Sequence, residues 1–226
     1  MSEKEEFIQG QIEKKNYRKT WLKKVESDSD HPINFGIHMD THHLISAEAI
    51  KISKLGGVLK IKGYVIDSLS NLVGFPSTLP GACHLGVQLH RGDHKHTIPG
   101  EEAYHKYVAS TLEKNEDGIR GCYGRTAKEE TKSEIHLLLD PKGEDILDEL
   151  IDFELPLTEI FKSFEDGCLI GCSNEFDVKP ASKQQRICGK KRDHFLEEDK
   201  KYQTSTKDWN KKQITYQGLW NLKVGL

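Results

Sequence analysis

Apolar side chains recur at roughly helical spacing at Phe7, Ile8, Ile12, Trp21, Leu22 and Val25, with Lys and Glu filling the positions between them. That pattern predicts a helix over residues 3–26, stopped by the stretch from Asp28 to Pro32. A short strand is predicted from Ile37 to Leu44. Ser46 then offers a side-chain oxygen to the free N–H groups of a helix over residues 47–55, with Gly56 and Gly57 as its stop. Residues 58–66 alternate between apolar and polar and predict a second strand; residues 67–80, rich in Ser, Asn, Gly and Pro, predict turns. Ala103, Tyr104, Tyr107, Val108 and Leu112 give one apolar face to a helix predicted over residues 101–114, closed by Asn115 and Gly118. Residues 119–133 are polar and unpatterned, helices are predicted over 144–153 and 157–164, and the chain turns polar and basic from Asp166. Residues 213–224, around Trp220, alternate like a strand.

These elements predict an α+β chain with an N-terminal helix (residues 1–30), a core (31–118) and a C-terminal extension (119–226). Charged residues make up 31% and hydrophobic residues 35%, and no run approaches the roughly 18 apolar residues of a membrane span. The opening Met1-Ser2-Glu3-Lys4-Glu5-Glu6 is charged and has no apolar signal core, so no standard secretory peptide is expected. The net charge of -3 does not supply the basic footprint usual in a nucleic-acid binder, so any affinity for a polyanion must come from a local basic face or a metal ion. The stripe Lys14-Lys15, Arg18-Lys19, Lys23-Lys24 reads as a solvated helix face, with contact to nucleic acid as the alternative. Five cysteines, an odd number, argue against a disulfide framework. Cys168, Cys172, Cys188 and His194 form a loose set, open between a structural zinc site and reduced thiols.

Histidine placement sharpens this picture. Of 11 His, His31, His38, His42, His43, His84, His90, His94, His96 and His105 precede residue 110. His90 and His94 are four apart, a spacing that on a helical turn puts both rings on one face, able to share one divalent ion. The tandem His42-His43 can supply a third ligand. On an extended segment its rings point to opposite faces, so one can turn to the metal while the other stays free as a base. That pairing suits phosphodiester hydrolysis, in which a base activates water and an ion steadies the phosphate.

His42-His43-Leu44-Ile45, the turn around Asn71 with Leu79-Pro80 after it, then His90-Arg91-Gly92-x-His94 and the downstream Tyr104 together resemble the AHH family. That family is a branch of the HNH, or ββα-metal, nucleases found in bacterial toxins. The resemblance spans roughly residues 38–112; Thr41 stands where the family motif has Ala or Gly. It implies a small ββα-metal nuclease core with flanking helices and a mixed C-terminal extension. It also implies roles: His43 as general base, Asn71 orienting that base through its ring nitrogen, His42, His90 and His94 as metal ligands, and Arg91 as a phosphate contact. The implied cofactor is one divalent ion, magnesium, manganese, nickel or zinc. The implied activity is endonuclease cleavage of DNA by an antibacterial toxin or effector. Such a protein leaves its cell without a visible signal peptide, acts in a target cell's cytoplasm, and has an immunity protein and a delivery-system component as partners. A same-family RNase, or a non-enzymatic zinc-stabilised binding module, are the alternative readings. His84 and Tyr104 read as structural, His105 as an exposed helix position, and Asp40 and Asp93 as carboxylates near the site.

Overall fold

In the computed structural model the described residues are 17–90, 93–94, 102–123, 133–165 and 214–226. In chain order their main elements are α1 (Tyr17–Glu26), β1 (Met39–His43), α2 (Ala47–Ile52), α3 (Gly56–Ile61), β2 (Leu72–Pro76), α4 (Leu79–Leu85), α5 (Tyr104–Lys114), α6 (Glu116–Gly121) and α7 (Glu134–Ile151). The class is α+β. β1 and β2 pair antiparallel, with Thr41 opposite Gly74, His42 opposite Val73 and His43 opposite Leu72. Successive side chains alternate across a sheet, so the pair has two differently used faces. Val73, Phe75 and, just past β1, Leu44 enter the main core with Ala49, Tyr104, Val108, Leu139 and Ile146 from the surrounding helices. Met39 and Leu72 enter a second cluster with Trp21 and Val25 of α1 and with Ile214 and Tyr216 near the C-terminus.

Local chemistry explains several of these elements. Trp21 and Val25, one helical turn apart, are the buried residues of α1. The Trp21 ring lies so close to β2 that a Cβ at position 74 would stand 2.3 Å from it, so Gly74 makes the close approach possible. Ser46 caps α2 by accepting from Ala49 N–H at 3.1 Å, and Thr78 caps α4 by accepting from Gly81 N–H at 3.2 Å. Gly86, at φ 65°, ends α4 in the left-handed region.

The expected helix over 101–114 is present as α5. Other expectations are corrected. The segment predicted as a strand over 58–66 begins with helix α3, and Gly56-Gly57 open that helix instead of closing the one before. The second strand, Leu72–Pro76, lies in the stretch read as turns. The helix expected at 144 begins at Glu134 and runs through Pro141, and only a 3-10 turn, Phe161–Phe164, forms within 157–164. Residues 214–224 form no strand; the chain instead seals the outer edge of β2, with Gly74 N–H donating to Leu226 O (2.7 Å) and Gly225 N–H donating to Leu72 O (2.6 Å). The predicted helix before residue 17, Arg91, His96 and the set Cys168, Cys172, Cys188 and His194 lie outside the described residues.

Candidate active site

His42 and His43 sit at the end of β1, and the strand's alternation sends them to opposite faces. On the core face, the His42 ring stands 5.1 Å from both the His90 and the His94 rings, and those two are 4.8 Å apart, centroid to centroid. The nitrogens close further: His90 Nε2 is 3.1 Å from His42 Nδ1 and 3.3 Å from His94 Nε2. One ligand atom from each residue fits within 4.8 Å of the others.

Each ring is held from behind. His90 N–H donates to Pro76 O at 2.9 Å, which ties the residue to the end of β2. His94 Nδ1–H donates to Leu157 O at 3.0 Å, so its Nε2 carries the lone pair that faces the cluster. The Leu157 backbone is itself fixed by Gln88, fully buried, whose Oε1 accepts from Leu157 N–H (2.9 Å) while its amide donates to Leu150 O and Leu155 O. His94 takes φ 54°, the left-handed region that a right-handed helix excludes. His94 itself is therefore not in a helical conformation, and its ring still meets that of His90. His105 is partly buried, not an exposed helix position. It accepts from Ser46 Oγ at Nδ1 and donates from Nε2 to Asp93 O, both at 2.8 Å, and so ties the turn before His94 to the cap of α2.

The residues present fit a metal ion. Three imidazoles form a borderline donor set, and two ring nitrogens held at about 2.1 Å from a tetrahedral ion lie about 3.4 Å apart. A single proton on His90 Nε2 can satisfy only one of its two nitrogen contacts, whereas a cation satisfies both. Burial, reinforced by the neighbouring imidazole charges, pushes His90 down to about 3 and His42 well below the usual histidine range. Both are therefore neutral near pH 7, the form that binds metals. The other His42 nitrogen, Nε2, is buried and has no hydrogen-bond partner among the described residues.

On the opposite face, His43 Nε2 lies 3.0 Å from Asp67 Oδ1, with both side chains largely buried. A carboxylate only accepts, so Nε2 carries the proton and Nδ1 holds the lone pair. The Tyr17 ring packs 4.5 Å from the His43 ring, and Tyr104 Oη donates to His43 O at 3.1 Å and to Leu44 O at 2.6 Å.

Asn71 does not reach the His43 ring. Its two amide N–H groups donate to Ile45 O (3.0 Å) and Ile66 O (2.9 Å), and its oxygen accepts from Ile45 N–H (2.7 Å). That corrects the expected ring contact: the amide's donors are already spent on backbone carbonyls. His84 is structural, its Nε2–H donating to Tyr216 O at 2.7 Å. Tyr104 is fully buried. Asp40 pairs with Arg18 of α1 at 3.0 Å. Sequence reasoning missed Asp67, Gln88 and Tyr17. Asp67 and Tyr17 are distant in sequence from His43, Gln88 acts on His94 only through the backbone of Leu157, and none carries a local signature.

A family model described as a nuclease family of the HNH/ENDO VII superfamily with conserved AHH matches residues 26–139. No curated protein and no solved structure matches the chain.

Proposed function

Because the chain belongs to the AHH family of HNH/ENDO VII nucleases, we propose that it is a metal-dependent endonuclease that cleaves DNA, acting as an antibacterial toxin or effector. The convergence of His42, His90 and His94 nitrogens, with His43 next to His42 at the end of β1, carries this reading. His42, His90 and His94 hold one divalent ion, which when bound supplies Lewis-acid stabilisation of the scissile phosphate and the leaving 3′-oxygen. His43 Nδ1 accepts a proton from a water molecule as that water's oxygen attacks phosphorus and the bond to the 3′-oxygen breaks. Tyr104 and the β-ladder fix the His43 backbone, so the base enters the reaction already placed. Arg91, next to His90 in sequence, contacts a phosphate through its planar guanidinium.

The toxin reading places the site of action in the cytoplasm of a target cell. It brings with it an immunity protein in the producer and a component of a delivery system. Both follow from the family resemblance.

Parallel digestions test the substrate. Supercoiled plasmid and a structured RNA are incubated with the protein and added magnesium, manganese, nickel or zinc. Nicking of plasmid with at least one metal, abolished by a chelator, is the expected result. Degradation of RNA with intact plasmid would overturn the DNA assignment and leave an RNase of the same family. Both substrates intact with every metal would overturn the nuclease assignment for this chain.

A further inference from the structure

Asn71 and Asp67 together suggest how the base is held, an inference that rests on the nuclease reading above. The Asp67 carboxylate lies 3.0 Å from His43 Nε2, and the two side chains are only 18% and 14% exposed. Asp67 sits between Ile66, whose carbonyl accepts from Asn71, and Ser68, whose Oγ accepts from Ser70 N–H to cap the 3-10 turn Leu69–Asn71. Asn71 also grips Ile45 through both its N–H and its carbonyl, two residues past His43. One buried amide thus clamps the backbone beyond the base to the loop that carries the carboxylate. Tyr17, from a helix that starts ahead of the family-matched residues 26–139, covers a face of the same ring.

We propose that Asp67 is the positioning residue of the base and that Asn71 acts one step removed, by holding the Asp67 loop against the strand end. Asp67 can only accept, so it fixes the proton on Nε2 and commits Nδ1 to water. When Nδ1 takes the proton from water, the imidazolium keeps its Nε2–H on a carboxylate whose charge stabilises it. The acid is not consumed and moves no proton. A base with a wandering ring, or with its proton on Nδ1, cannot act, so orientation and tautomer set the turnover.

Steady-state cleavage by D67A and D67E tests this, with metal affinity and the thermal unfolding midpoint measured on the same samples. D67A is expected to lower kcat about 10- to 100-fold, the range in which partners of functional imidazoles act. KM, metal affinity and midpoint stay at wild-type values, and D67E recovers part of the loss by restoring a carboxylate. A D67A kcat within about twofold of wild type overturns the proposal, as does a loss confined to KM or metal affinity, a loss that comes with a lower midpoint, or a D67E variant no better than D67A. Inactivity of the wild-type protein on nucleic acid sinks the nuclease reading instead. Active wild type, inactive H43A and unimpaired D67A sink the Asp67 proposal alone.

Discussion

At the scale of single residues, burial decides which imidazoles stay neutral. His31 shows this away from the site. Its Nδ1 accepts from Ile33 N–H at 3.3 Å as a cap, its ring packs 4.6 Å from Trp220 and 5.8 Å from Trp21, and its buried Nε2 has no hydrogen-bond partner among the described residues. Burial lowers it from the ordinary 6.5 to about 4. Between those values the unfolded chain takes up a proton that the folded chain does not, so stability falls as pH drops from about 6.5 toward 4. The unfolding midpoint of the metal-free protein is expected to fall over this window, and less steeply in H31N, where a non-titrating cap replaces the imidazole. Equal slopes would remove His31 as a cause. The ordered histidines were legible because their chemistry lies in the residue type itself. Asp67 was not, because a carboxylate 24 positions after His43 looks like any loop acid until the chain folds.

At the scale of elements, the helix with a single exposed face was legible and the fully covered strand was not. α5 shows its apolar stripe plainly. β2, Leu72-Val73-Gly74-Phe75-Pro76, is buried at every position, so it lacks the alternation that marks a half-exposed strand, and its Gly and Pro read as turn residues. The opposite error affected residues 58–66, where Ile61 supplies an apolar position to a strand-like pattern and yet stands 81% exposed on α3. Pro141 and Gly143 interrupt the pattern inside α7, although Ile135, Leu139, Ile146 and Leu150 continue one stripe across them. Pro141 removes only the N–H that would reach the carbonyl of Leu137, a residue on the exposed side of the helix. Gly74 gives the sharpest test at this scale. G74A sets a methyl 2.3 Å from the Trp21 ring. It is expected to cost about 1–3 kcal/mol, read as a lower midpoint together with a changed tryptophan emission; wild-type values for both would contradict the packing of α1 on β2.

At the scale of the whole molecule, the net charge of -3 has to be reconciled with a polyanionic substrate. Among the described residues no helix is long and apolar enough to cross a membrane. α1 concentrates Arg18, Lys19, Lys23 and Lys24 against a single acid, Glu26, and Lys19, Lys23 and Lys24 are exposed on the element that sets Tyr17 beside His43. The described lysines of the stripe, Lys19, Lys23 and Lys24, thus stand exposed on the helix whose first residue, Tyr17, packs on the His43 ring. Replacing Lys19, Lys23 and Lys24 with Gln is expected to raise KM for nucleic acid with kcat kept. It is also expected to flatten the salt dependence of binding by about one power of salt concentration for each phosphate that a lysine no longer neutralises. An unchanged salt slope would free α1 of any substrate role. The central claim, three rings for one ion and a fourth ring for water, is met most directly by a paired measurement on wild type and H43A: bound metal per chain, and plasmid nicking. One ion per chain in both proteins, with nicking lost only in H43A, is the expected result. Nicking by H43A at the wild-type rate, or loss of the ion from H43A, would contradict it.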